Sequence, residues 1–259
     1  MEKFLYRKCQ RISVISKSFR QTLLAKGIPN SKIEIIPVWA DPDEVRPMQK
    51  QNSFRREHGL EDKFVLMYAG NIGLTSCLED ALHAAEILRG QEDIQFVIVG
   101  EGARKDSLMA EMQSRQLTNI LFLPFQPRET FPELLAAADI SLVTLNAGAA
   151  LSSMPSKIFN VMASARPILA VTPPGSEIMQ IVEEAACGWN VPPGSPEKLA
   201  EAILQLKADE SALIRMGQSG RACLEKNYSR DHCVDAYEKM LLTLRDQTHL
   251  KTAHAENAL

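Results

Sequence analysis

The chain has 259 residues, of which 45% are hydrophobic and 24% charged, with a formal net charge of −3. These are ordinary values for a soluble globular protein, and the length is enough to bury a sizeable core. The mildly acidic balance gives no bulk attraction for nucleic acid, so no nucleic-acid partner is expected.

Residues 1–37 read as a β-α-β piece: a helix around Phe4 and Leu5, a strand over 12–15, a helix over 17–26 and a strand over 33–36. Lys3, Arg7, Lys8, Arg11, Lys17 and Arg20 cluster here. A solvated helical face is the first expectation for them, and peripheral contact with a membrane surface the second. Two strands alone do not make a stable sheet, so this piece is expected to be one end of a domain. Residues 38–62, with Pro42, Pro47 and many polar side chains, read as a linker. Asp41-Pro42-Asp43 has the DxD spacing of a divalent-ion motif, but turn chemistry accounts for both acids and no metal is expected.

Strand and helix signals then alternate over residues 63–244. The apolar run 64–69 predicts a buried parallel strand ending at the turn Gly70-Asn71-Ile72-Gly73. A helix follows, with Ser76 as expected N-cap and Glu79 at capping-box spacing. Next come strand 94–99, turn Gly100-Glu101-Gly102, helix 105–115, strand 120–123 and the loop Pro124-Phe125-Gln126-Pro127. Helix 130–138 and strand 140–143 lead to a polar loop, Pro155-Ser156-Lys157, which opens a short amphipathic helix and a strand entered at Pro167. The rest reads as helix 176–184, strand 188–191, and helices over 196–208, 210–225 and 229–244, with 245–259 a flexible tail. The expected fold class is therefore α/β, a Rossmann-like parallel sheet with helices on both faces. Ligands of such sheets sit outside the carboxyl ends of the strands, where the Gly70 and Gly100 turns fall.

Five scattered cysteines without a CxxC pair argue for reduced thiols in a cytoplasmic compartment. No apolar run is long enough to span a bilayer, and the first residues are too charged for a signal peptide. The five histidines pair with no nucleophile. The chemistry concentrates instead on phosphate: glycine turns allow close backbone approach, and Lys157 with Ser156 stands at a helix start, where the dipole favours anions.

Taken together, Ile35-Ile36-Pro37-Val38-Trp39-Ala40-Asp41, Tyr68 through Gly73, Val99-Gly100-Glu101-Gly102, Ala137-Ala138-Asp139-Ile140, Pro155-Ser156-Lys157, Cys187 through Gly194 and Tyr228-Ser229-Arg230 resemble the donor-binding, C-terminal half of the retaining GT-B glycosyltransferases of family 4. The likeness is greatest to the subgroup of O-antigen, capsule and exopolysaccharide assembly that uses amino-sugar donors. It implies a UDP-sugar donor, a saccharide or lipid-linked saccharide acceptor, no cofactor, and a site at the inner membrane face. It also implies that residues 1–37 are the remnant of an acceptor domain. A separate acceptor-domain chain, or self-association through residues 1–37, would then complete the enzyme. The alternative is a non-catalytic nucleotide-sugar-binding or scaffolding module.

The resemblance implies Lys157 as the cation on the leaving diphosphate, helped by Ser156 and by Arg104. Gly70, Asn71 and Gly73 would approach the phosphates, Phe125 and Gln126 the base, and Glu177 the sugar. The family's Glu-x7-Glu element falls on Ser152 and Asn160, so both carboxylates are replaced; Asn160 retains the capacity to bond a ribose hydroxyl. The family's Arg and Lys after the first strand fall on Asn71 and Ser76.

Overall fold

The computed structural model describes residues 2–149 and 153–256. They divide into two compact units, one of described residues within 2–39 and 226–256 and one of those within 40–225.

In the smaller unit, α1 (Glu2–Lys8) precedes β1 (Ile12–Val14), α2 (Lys17–Ala25) and β2 (Ile33–Ile35). The strands pair in parallel, with Ile12 opposite Ile33 and Val14 opposite Ile35. Ser16 caps α2 by accepting from the Phe19 amide at 3.3 Å, which satisfies an otherwise unpaired donor of the first turn. Val14, Leu23, Ile28 and Ile33 form a small core. Part of the basic cluster is used locally: Arg20 donates from Nε to Asn30 at 2.9 Å, and the Lys8 ammonium lies 5.7 Å from the Phe4 ring centroid.

The larger unit is built on a six-stranded parallel sheet of order β5-β4-β3-β6-β7-β8. Its strands are β3 (Phe64–Ala69), β4 (Ile94–Val99), β5 (Ile120–Leu123), β6 (Ile140–Thr144), β7 (Ile168–Val171) and β8 (Gly188–Val191). All of β6 and β7 is buried, as parallel strands covered on both faces require. Leu66, Tyr68, Phe96 and Ile98 join one apolar cluster with Ala81, Leu82 and Ala85 of α4 (Leu78–Ile87) and Leu199 and Ile203 of α9 (Pro196–Lys207). Burial of this kind costs about 2–5 kcal/mol to undo at a single Leu→Ala position. The remaining helices of this part of the chain are α3 (Ser53–Glu57), α5 (Lys105–Ser114), α6 (Phe131–Ala136), α7 (Lys157–Ala163), α8 (Glu177–Glu184) and α10 (Glu210–Asn227).

The chain's strand order reverses between β3 and β6. Their ladder is short, covering Leu66 opposite Ile140 and Met67 opposite Ser141, so the two strands separate towards their carboxyl ends. At the amino end the seam is closed by Asp139. Its carboxylate accepts from the Val65 amide at 2.8 Å and from Lys50 at 2.7 Å, and it pairs with the fully buried Arg55.

Three local expectations are corrected. Of residues 38–62, read as linker, 40–62 are folded into the larger unit: Arg55 of α3 is 1% exposed and donates to the carbonyls of Ala137, Leu60 and Lys63. Ser76 is not the N-cap of α4. Its hydroxyl donates to the Gly73 carbonyl at 2.7 Å, tightening the glycine turn, and the helix begins after Cys77. The last helix, α11 (Arg230–Glu256), continues where the sequence pattern read a flexible tail from 245. Asp41 accepts the Asp43 amide at 2.9 Å, an Asx turn in the DxD stretch. No helix of the described residues is long and apolar enough to cross a membrane.

Candidate functional site

The carboxyl ends of β3 and β4 carry two glycine turns packed edge to edge. Gly70 donates to Val99 O at 2.9 Å, Ile72 to Glu101 O at 2.8 Å, and the Arg104 amide returns to Ile72 O at 3.0 Å. This spacing demands glycine. A Cβ on Gly100 would lie 1.9 Å from the Gly70 carbonyl oxygen, and one on Gly102 would lie 2.3 Å from that of Ile72. Both residues hold φ near +150°, which L side chains avoid. Tyr68 closes the turn from below, its hydroxyl donating to Asn71 O at 2.7 Å. On the β6 side, Asn146 donates from its side chain to Leu74 O at 2.7 Å and from its amide to Thr75 O at 2.9 Å, tying the two loops together.

Lys157 comes to this double turn from α7. Its Nζ lies 2.9 Å from the place a Gly70 Cβ would occupy, and 3.7 Å from the centroid of the Tyr68 ring. The side chain is half-buried, and among the described residues no carboxylate pairs with it. Burial pushes its pKa from 10.5 down to about 7. A desolvated cation beside open backbone is a strong anion receptor, because its charge is unspent and poorly screened.

The helix start itself contributes less than the sequence suggested. Ser156 is exposed and makes no side-chain cap. The Ile158 and Phe159 amides are already turned onto Pro155 and Ser156 carbonyls, so the Lys157 side chain is the main thing α7 brings. Asn160, half-buried, follows one turn after Ser156 and Lys157 and shares their side of the helix. Ser152 lies outside the described residues.

The other expected residues surround this point unevenly. Arg104 is not a free cation: it pairs with Glu79 across the turn and donates to Ser107 at 3.3 Å. Phe125 is 57% exposed on the loop after β5, so its ring is open to a ligand rather than packed in the core. Gln126 beside it donates to its own loop, at Pro124 O, 3.0 Å. Glu177 is the first residue of α8, whose N-cap Ser176 accepts from Met179 N at 3.2 Å. Tyr68 reads in sequence as an ordinary core residue of a strand, yet in the fold its ring is the neighbour of Lys157. An aromatic residue two positions before the first glycine was the available signal.

A cavity of about 950 Å³ opens at the opposite, amino edge of the sheet. Its cations are committed: Lys50 and Arg55 to Asp139, Arg166 to the carbonyls of Ala136 and Met48, and Arg221 to those of Pro42, Val45 and Ala163. Structural bonding explains that edge, and the unspent charge lies at the other.

Residues 50–222 match the family described as Glycosyl transferases group 1. The chain is 31% identical over 227 residues to "Probable glycosyltransferase WbjE" of Pseudomonas aeruginosa, covering 87% of this chain and 56% of that protein. It is 32% identical over 201 residues to "Putative colanic acid biosynthesis glycosyl transferase WcaI" of Escherichia coli strain K12, covering 75% and 48%. The chain thus spans about half the length of these relatives. Among solved structures, that of Anabaena Alr3699/HepE in complex with UDP superposes with a TM-score of 0.79 at 17% identity, over 93% of this chain and 65% of that one. The isolated C-terminal domain of a group 1 glycosyl transferase, LpcC of Francisella tularensis, matches 74% of this chain and 99% of its own at a TM-score of 0.61 and 20% identity. The fold is that of the GT-B glycosyltransferases, and the chain belongs to the group 1 glycosyl transferase family.

Proposed function

We propose that the larger unit, residues 40–225, forms the donor-binding half of a retaining family 4 glycosyltransferase of polysaccharide assembly, and that residues 1–37 belong to its acceptor half. The donor is a UDP-sugar, with an N-acetylated amino sugar as the transferred group, and the acceptor a saccharide or lipid-linked saccharide at the inner membrane face. The observation that carries the reading is the Lys157 ammonium under Gly70, half-buried and without a carboxylate among the described residues.

In this reading the glycine turns admit the diphosphate, Lys157 neutralises it, Phe125 stacks on the base, Asn160 takes a ribose hydroxyl and Glu177 reaches the sugar. As the anomeric carbon–oxygen bond to the diphosphate breaks, negative charge grows on the leaving phosphate, and a cation fixed beside it stabilises that charge. The acceptor hydroxyl forms the new bond on the same face and gives its proton to the departing phosphate oxygen. No protein carboxylate is required as nucleophile. Support comes from the family membership and from the crystal form of HepE that holds UDP.

The second reading, a non-catalytic nucleotide-sugar-binding module, is favoured by one observation: an amide, Asn160, stands where the family has a carboxylate. Calorimetric titration with UDP, GDP and UDP-N-acetylglucosamine, on wild type and Lys157→Ala, tests both. Selective UDP binding that is lost in the variant supports a working donor site. Failure of all three ligands to bind counts against it.

A further inference from the structure

A half-buried ammonium with no carboxylate would ordinarily be driven out towards water or lose its proton, yet Lys157 is held in one place. The group that faces it is an aromatic ring. Nζ stands 3.7 Å from the Tyr68 centroid, well inside the range of about 6 Å over which a ring face attracts a cation, and desolvation strengthens that attraction. The ring itself cannot turn away. Tyr68 is 2% exposed, and its hydroxyl is fastened to the Asn71 carbonyl at 2.7 Å. Burial pushes the phenol up to about 12, so it stays protonated and keeps donating that bond.

The other walls offer no competing charge. The small void beside Lys157 is lined by Met67 of β3, Leu135 of α6, Ser141 and Leu142 of β6 and Val161 of α7, none of which titrates. Burial is the sole contributor to the lowered Lys157 pKa, and the ring that faces the ammonium is that of Tyr68. Gly70 completes the arrangement, since a Cβ there would stand 2.9 Å from Nζ and push the ammonium off this place.

We propose that Tyr68 is a positioning residue: its ring face seats the Lys157 ammonium beneath Gly70, favouring the charged form and aiming it at the turn where the diphosphate would lie. The proposal rests on the reading of Lys157 as the phosphate cation. The face, rather than the hydroxyl or the bulk of the side chain, is the active part.

The test compares wild type, Tyr68→Phe, and a protein carrying trifluorophenylalanine at position 68, which keeps the ring's shape while draining its electron density. Titration of Lys157 is followed by NMR of carbon-labelled lysine without nucleotide, and UDP affinity is measured against pH. We expect Tyr68→Phe to keep the wild-type midpoint and the fluorinated ring to lower it by about one pH unit, with about tenfold weaker UDP binding above neutral pH. Equal midpoints in the Phe and fluorinated proteins overturn the proposal. So does a shift already complete in Tyr68→Phe, which would assign the effect to the hydroxyl. If UDP binds Lys157→Met as well as wild type, the diphosphate role of Lys157 fails instead, and the lysine titration alone decides the seat.

Discussion

Replacing Lys157 by Met removes a buried charge while keeping a similar linear side chain, and the consequence can be worked out from the titration. Because burial lowers the pKa of Lys157 from 10.5 to about 7, the unfolded chain holds more protons between those values, and stability rises with pH there. Below about pH 7 both states are protonated and the penalty is constant. Its upper value is about 5 kcal/mol, from the difference between 10.5 and about 7 at roughly 1.4 kcal/mol per pH unit. At pH 9 it has fallen to about 2 kcal/mol by the same slope. Lys157→Met carries no such term, and the other titrations cancel between the two proteins. Urea unfolding of both at half-unit steps from pH 6 to 10 should therefore show the variant more stable at low pH. The gap should be flat to about pH 7 and then shrink by about 1.4 kcal/mol per unit. A gap that does not change between pH 7 and 10 would mean the ammonium reaches water, and the desolvated seat would be refuted. A diphosphate reverses the sign, because it favours the charged form. UDP affinity of wild type should fall by up to about tenfold per pH unit above 7, and that dependence should vanish in the variant.

Gly100→Ala should cost at least about 2 kcal/mol in denaturant unfolding and abolish UDP binding, since its Cβ would sit 1.9 Å from the Gly70 carbonyl oxygen at a φ of +150°. Gly90→Ala, with open space around it, should leave both unchanged. Phe125→Ala should leave the melting temperature where it is, because the ring is exposed, and weaken UDP binding about tenfold through lost stacking; equal affinities would remove Phe125 from the base site. Arg55→Leu should destabilise by about 3–5 kcal/mol in urea unfolding, because it strips one cation from a buried carboxylate. A loss below about 1 kcal/mol would show that Lys50 alone satisfies Asp139.

The inner strands of the larger unit were legible because parallel strands buried on both faces write continuous apolar runs, as at 64–69; 94–99 and the edge strands 120–123 and 188–191 also fall within the same bounds in the structure, though the last, Gly-Trp-Asn-Val, is partly exposed. What was not legible depends on partners distant in sequence. Ser76 and Glu79 have capping-box spacing, but the Gly73 carbonyl captures the hydroxyl and Arg104 captures the carboxylate. Arg55 reads as one more charged residue of a polar stretch until Asp139, far along the chain, is placed opposite it. Lys157 was visible as a candidate, whereas its isolation from carboxylates and its aromatic seat exist only once β3 and α7 are neighbours. Arg104 shows the reverse: a plausible free cation in sequence, already spent in the fold.

The seam between β3 and β6 has a thermodynamic consequence. The glycine turns hang from the β3-β4-β5 half of the sheet, while Lys157, Asn160 and Glu177 hang from the β6-β7-β8 half, and the ladder joining the halves is short and tied chiefly at the Asp139 end. A nucleotide lying across the carboxyl end would act as a clasp, adding to the Asn146 bonds in coupling the two half-sheets. Its binding energy would then appear as slowed amide exchange along β3 and β6 ahead of the outer strands, so that occupancy would be written into the stiffness of the sheet as well as into the loops that touch the ligand.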